Sequence, residues 1–204
     1  MALAKDGKTI FCSEISEQGY SHAEKLHVFI EEILLNAGIN SKDLNAIAIS
    51  SGPGSYTGLR IGVSAAKGLC YALDIPLISV DTLTSLTSQA KVTDGIVIPM
   101  IDARRMEVYS AIFNANNEII RKVEAEILTE SSFDNFAETI YFVGDSNEKA
   151  KAVLNKPNFV FLDEIVYPSA KDMSVISYKK FTQNSFEDLA YYEPYYLKDF
   201  MFAK

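Results

Sequence analysis

Residues 50–60 read Ser-Ser-Gly-Pro-Gly-Ser-Tyr-Thr-Gly-Leu-Arg (SSGPGSYTGLR) and follow directly on the apolar run 46–49. Gly52, Pro53, Gly54, Ser55, Thr57 and Gly58 crowd into the space between a predicted strand (44–49) and a predicted helix (56–73). Loops of this composition hold a phosphate, a nucleophile or a partner. The dinucleotide pattern G-x-G-x-x-G fails, because the third glycine, Gly58, comes one position late. A P-loop needs a lysine and a hydroxyl after its last glycine, and the chain places Leu59 and Arg60 there. A nucleophile elbow needs G-x-S-x-G, whereas Ser55 directly follows Gly54. Two readings stand side by side: backbone N–H groups at the helix start that receive an anion, or glycines that let the strand turn sharply and the helix pack closely.

The helix after the loop favours contact. Gly58, Gly62 and Ala66 lie four apart, which leaves one face nearly bare backbone. Leu59, Val63 and Cys70, with Ile61, Ala65, Leu69, Ala72 and Leu73, make most of the remaining circumference apolar, and Arg60 and Lys67 fall on one side. A helix this apolar is buried on more than one face. One face is expected against its own sheet and another against a second subunit.

Upstream, residues 1–4 and 9–13 flank Lys5-Asp6-Gly7-Lys8, whose Asp-Gly pair marks a hairpin. A first helix is expected over 21–37: Ser21 and Glu24 have capping-box spacing, Leu26, Phe29, Ile30, Ile33, Leu34 and Ala37 recur at helical spacing, and Gly38 suits a stop. Downstream, 76–80 reads as a strand and 81–86 as a helix start, with a composition shift at 91–95 that marks the expected domain junction. Beyond it the pattern predicts a three-strand meander (96–101, 107–113, 118–124), a helix over 133–139 and a strand over 140–143. A helix over 148–154, a strand over 159–161 and a helix over 169–181 follow, and Pro194 ends regular helix in the tail.

Composition narrows the function classes. The 204 residues carry 48% apolar and 23% charged residues, which suits a globular chain with a real core. A net charge of −8 speaks against autonomous nucleic-acid binding, which shows as a basic face. Cys12 and Cys70 have no metal-binding or redox spacing and read as two buried free thiols in a reducing cytosol. No apolar run approaches the ~20 residues that span a bilayer, and Lys5-Asp6-Gly7 comes too early for a signal peptide. The expected location is the cytoplasm. A serine hydrolase would need a histidine base, but His22 and His27 lie five apart in or beside the first helix, and they are too few for a zinc site. His22 is expected to pack at the helix end. Asp102, Arg104 and Arg105 at a hairpin either clamp an anion or form a turn-capping aspartate beside two solvated arginines.

Residues 50–80, SSGPGSYTGLRIGVSAAKGLCYALDIPLISV, and IDARRMEVY at 101–109 closely resemble the TsaB (YeaZ) family, and the likeness extends through SHAEKL at 21–26 to Pro194-Tyr195-Tyr196-Leu197. The resemblance implies two actin-like ATPase (ribonuclease H-like) half-domains of mixed sheets flanked by helices, here 1–94 and 95–204. It implies that the first central strand of the family's N-terminal sheet is missing from this chain. It implies a role in forming N6-threonylcarbamoyladenosine beside the anticodon of tRNAs reading A-starting codons. There the chemistry belongs to the paralogue TsaD, with the ATPase TsaE as a further subunit and the adenylate donor made separately. TsaD-like chains carry a metal-binding H-x-x-x-H pair where this chain has Thr82 and Leu86, which implies no catalytic residue and no metal here. ATP and metal are expected on the partners, and tRNA contact is expected to be indirect. The family's two N-terminal helices pair with a second TsaB or with TsaD. That assigns Leu26, Phe29, Ile30, Ile33, Gly58, Leu59, Gly62, Val63 and Ala66 to a partner interface. The loop of Gly52, Pro53, Gly54, Ser55, Thr57 and Arg60 becomes a possible anion or turn site. The rival readings are a metal-dependent glycoprotease-like hydrolase and an ATP-binding actin-like enzyme.

Overall fold

A computed structural model describes residues 1–16 and 22–197. It divides into two compact units: Met1–Asp81 together with the chain from Ser169 onward, and Thr82–Pro168.

The first unit opens with a hairpin of β1 (Ala2–Lys5) and β2 (Lys8–Cys12). Asp6 and Gly7 both take positive φ (52° and 78°), the turn geometry that the Asp-Gly pair favours. Helix α1 (His22–Ala37) ends as the sequence indicated. Gly38 sits at φ +66°, its N–H bonds to Leu35 O, and Ile39 N–H bonds to Leu34 O, a Schellman closure. The proposed Ser21 cap, the Glu24 side chain and the packing of His22 lie outside the described residues. Strand β3 (Ile47–Ser50) leads into α2 (Tyr56–Leu73) and then β4 (Leu77–Val80), which runs parallel to β3. The C-terminal helix α5 (Met173–Thr182) returns to this unit, preceded by a 3-10 turn at Ala170–Asp172, and packs on β4 and β2. Among the described residues the hairpin and the parallel pair are separate two-stranded sheets.

The second unit is built on α3 (Thr82–Thr87), β5 (Ile96–Asp102), β6 (Glu107–Asn114), β7 (Ile119–Ile127), β8 (Ile140–Val143), α4 (Asn147–Lys151) and β9 (Phe159–Phe161). Its single sheet has the order β7-β6-β5-β8-β9, antiparallel through the meander and parallel from β5 to β9. Ile96–Met100 are buried throughout, as a strand covered on both faces must be. One side packs Ile98, Met100, Ile140, Phe142 and Leu154, the other Leu83, Leu86, Val97, Phe113 and Val143.

Three expectations change. The composition shift at 91–95 is not the passage between units, which lies at Asp81–Thr82. Leu83 and Leu86 bury completely in the second core, and that burial rather than local composition decides where α3 belongs. The helix expected over 133–139 is absent. Phe133 adopts φ +66° and turns its ring toward Phe142, 5.6 Å between centroids, so a core contact overrides the apolar spacing. Cys12 is exposed rather than buried because it lies on the outer face of β2, while Cys70 is buried.

Candidate functional site

The loop between β3 and α2 is closed by its own chain. Ser51 N–H donates to Val80 O (2.9 Å), and Tyr195 N–H donates to Ser51 O (2.8 Å). Gly52 and Pro53 are buried. Gly52 has φ +106°, and a Cβ there would meet Tyr195 O at 2.8 Å, so the close approach of the C-terminal segment requires glycine. The side chain of Ser55 caps α2 by accepting from Gly58 N–H (3.3 Å), while Leu59 N–H donates to Ser55 O (2.8 Å). Gly54 and Thr57 are exposed, and Leu59 is half-buried beside Gly52. Arg60 Nη1 donates to Tyr56 Oη (2.9 Å) and its guanidinium lies over the Tyr56 ring, which in turn meets the Tyr196 ring at 5.0 Å. Lys67 Nζ holds Ala190 O and Tyr192 O, both at 3.1 Å. Donors that an anion would use at Gly58 and Leu59 are already satisfied, and the C-terminal segment covers Gly52. The geometry favours a sharp turn over an anion cradle.

Several residues that the resemblance assigns to a partner face lie inside the chain. Val63 and Ala66 are buried with Cys70 on the side of α2 that meets β3 and β4. A Cβ on Gly62 would meet Ile49 Cδ1 at 3.1 Å. Gly62, Val63 and Ala66 therefore seat α2 on its own sheet, and Ile33 of α1 is likewise buried within the chain. Gly58 is half-buried against Ser55. Leu26, Phe29 and Ile30 remain half-buried on α1, which packs along α2. The open surface of the helix pair is a groove lined by His27, Arg60, Ile61, Ser64, Ala65, Gly68 and Leu69. Gly68 was missed in the sequence because it breaks the four-residue spacing. A Cβ there would meet nothing within 4 Å. Ser64, Ala65 and Gly68 form an open small-residue surface, flanked by Ile61 and Leu69.

In the second unit, Asp102 ends β5 and caps the hairpin turn. Its carboxylate accepts from Arg104 N–H (3.0 Å) and pairs with Lys149, whose ammonium also donates to Arg105 O (3.1 Å) and Glu107 O (2.5 Å). Asp102 N–H donates to Asp145 Oδ1 (2.8 Å), and burial pushes the Asp145 carboxyl above its ordinary range. Arg104 and Arg105 are exposed and both hold positive φ (73° and 51°). Thr82 and Leu86 are 5% and 0% exposed, turned into the core. No group of three or more His, Cys, Asp or Glu among the described residues is placed to hold a metal, and no helix there is long and apolar enough to cross a membrane.

Two α/β units, the second built on a mixed sheet and the first carrying a glycine-rich strand-to-helix turn between β3 and α2, define an actin-like ATPase type of fold. A solved structure of YeaZ from Pseudomonas aeruginosa matches with a TM-score of 0.79 at 26% identity, covering 96% of this chain and 92% of that one. The model of the family described as TsaD, tRNA N6-adenosine threonylcarbamoyltransferase, matches residues 14–198. The tRNA threonylcarbamoyladenosine biosynthesis protein TsaB of Escherichia coli (strain K12) is 31% identical over 209 residues, covering 98% of this chain and 89% of that protein. The TsaB of Bacillus subtilis (strain 168) is 34% identical over 115 residues, so the match spans 56% of this chain and half the length of that relative. The chain belongs to the TsaB family, within the broader TsaD-like group.

Proposed function

We propose that this chain is a non-catalytic subunit that binds and activates a TsaD-type transferase in forming N6-threonylcarbamoyladenosine on tRNAs reading A-starting codons. The observation that carries the reading is the open face of the α1–α2 pair, where small residues at Ser64, Ala65 and Gly68 let a partner helix approach closely beside Ile61 and Leu69. In the partner's absence the same face joins two copies of this chain. A TsaE-type ATPase completes the assembly, ATP and metal belong to the partners, and tRNA contact is indirect.

Two features support assigning the chemistry elsewhere. Leu86 offers no ligand atom and lies in the core with Thr82, at the positions where the resemblance places the transferase's histidine pair. The glycine loop that would present phosphate donors is capped by Ser55 and overlaid by Tyr195. The ATP-binding alternative would have Asp102 position a metal, yet that carboxylate is committed to Lys149 and the Arg104 amide. The test is reconstitution with TsaD-type and TsaE-type subunits, scored by threonylcarbamoyladenosine formation. Modification that needs this chain, and is lost with Gly68→Leu while the variant stays folded, is the expected result. Equal modification without the chain overturns the reading.

A further inference from the structure

Helix α2 carries two cations on one side, Arg60 and Lys67, and the structure gives them different roles. Lys67 is taken up by the chain itself: its ammonium donates to the carbonyls of Ala190 and Tyr192 and pins the C-terminal segment to the helix. Arg60 instead lines the open groove of the α1–α2 pair, together with His27, Ile61, Ala65, Gly68 and Leu69.

Arg60 is exposed but held in place. Its Nη1 donates to Tyr56 Oη (2.9 Å), its guanidinium lies over the Tyr56 ring at 5.3 Å from the centroid, and the Tyr196 ring meets Tyr56 at 5.0 Å. Tyr196 is fixed in turn by its neighbour Tyr195, whose N–H donates to Ser51 O (2.8 Å). The C-terminal segment thus buttresses the ring on which Arg60 rests. Among the described residues no carboxylate comes within ion-pair distance of Arg60, in a chain whose net charge is −8. A partner helix that covers Ile61, Ala65 and Leu69 also takes Arg60 out of water. A guanidinium cannot shed its proton, and a covered charge without a counter-charge is strongly unfavourable. Tyr56 Oη accepts one bond, so the rest of the fork needs acceptors from the partner.

We propose that Arg60 determines the specificity of this face: it selects a partner helix that sets an Asp or Glu carboxylate beside its apolar stripe, and it discriminates against a second copy of this chain. The inference rests on the reading of this face as the docking site of a TsaD-type subunit, and charge complementarity carries it further. The groove contributes a fixed cation and an imidazole but no carboxylate. A copy of the same groove therefore brings Arg60 a further cation and no acid. Two copies associate more weakly than the chain and its partner.

The test measures binding of the full chain to a TsaD-type subunit by calorimetry, and self-association by sedimentation, for the parent, Arg60→Gln, Arg60→Glu and Gly68→Leu. The parent should bind the partner more tightly than itself. Arg60→Gln should weaken partner binding about tenfold or more and leave self-association unchanged or tighter, whereas a damaged fold would weaken both. Arg60→Glu should weaken partner binding further, and lysine placed in turn at each Asp and Glu of the partner's docking helix should restore it at one position. Partner binding unchanged in Arg60→Gln, equal weakening of both associations, or no restoring lysine overturns the proposal. Gly68→Leu tells the two failures apart. If it also leaves partner binding intact, the docking face itself is wrong; if it alone abolishes binding, the face stands and the role of Arg60 falls.

Discussion

Replacing Gly62 and Gly68 by leucine, one at a time, separates the two faces of α2. At Gly62 the first added atom already stands 3.1 Å from Ile49 Cδ1, and the rest of a leucine must fit between α2 and β3 beside the buried Val63 and Ala66. Overpacking of this kind costs about 1–3 kcal/mol, against a helix-propensity gain of up to ~1 kcal/mol on removing a mid-helix glycine. A net loss of about 1–2 kcal/mol lowers Tm by roughly 2–8 °C for a chain of this size. At Gly68 nothing stands within 4 Å, so only the propensity term acts and stability holds or rises. Partner binding should move the other way. Gly68→Leu blocks the groove and weakens binding to a TsaD-type subunit at least tenfold, while a folded Gly62→Leu population binds nearly as the parent does. Paired thermal denaturation and calorimetric titration read both quantities. Gly62→Leu with unchanged Tm, or Gly68→Leu with unchanged affinity, would refute the assignment of faces.

Removing the Ser55 cap by Ser55→Ala should cost about 1 kcal/mol, read by urea denaturation, without loss of any anion affinity. Arg104→Gly and Arg105→Gly relieve two left-handed backbone positions and should each raise stability by about 1 kcal/mol. Reconstituted modification activity then tests whether the arginine side chains matter, since a stabilised but inactive variant assigns them a functional contact. Tyr192 is pushed up to about 12 by burial and by the charge of Glu187. Its folded state keeps the phenol proton after the unfolded chain has released it near pH 10, so the unfolded state binds fewer protons and stability falls between pH 10 and 12. Tyr192→Phe should flatten that part of the stability profile in chemical denaturation. Restoring histidines with Thr82→His and Leu86→His should destabilise the second unit, because two polar rings enter a sealed core. Zinc titration of the double variant should show no rescue of its Tm.

Local rules carried much of the fold. Asp6-Gly7, Gly38 and the 3.6-residue apolar spacing specify the hairpin, the end of α1 and the bounds of α2, because each acts through neighbours a few residues away. The meander at β5–β7 and the short strands β8 and β9 were legible for the same reason. Phe133 and the passage at Asp81–Thr82 were not, because burial in the cores of the second unit, rather than the local pattern, fixes both.

For the site, the sequence by itself determined that SSGPGSYTGLR joins a strand to an all-round apolar helix, with the anion cradle and the sharp turn both open, and that Leu86 has no ligand atom; the Ser55 cap and the Tyr195 contact then favoured the turn. Which way the helix faces lay beyond the sequence, since an all-round apolar helix carries no stripe to orient it. Tertiary structure decided that Gly62, Val63 and Ala66 meet their own sheet, leaving Gly68 on the open side. It also placed Tyr195 over Gly52, a contact across some 140 positions of chain that no local pattern encodes. Spacing fixes which residues share a face, but only the packed partner fixes which face is taken.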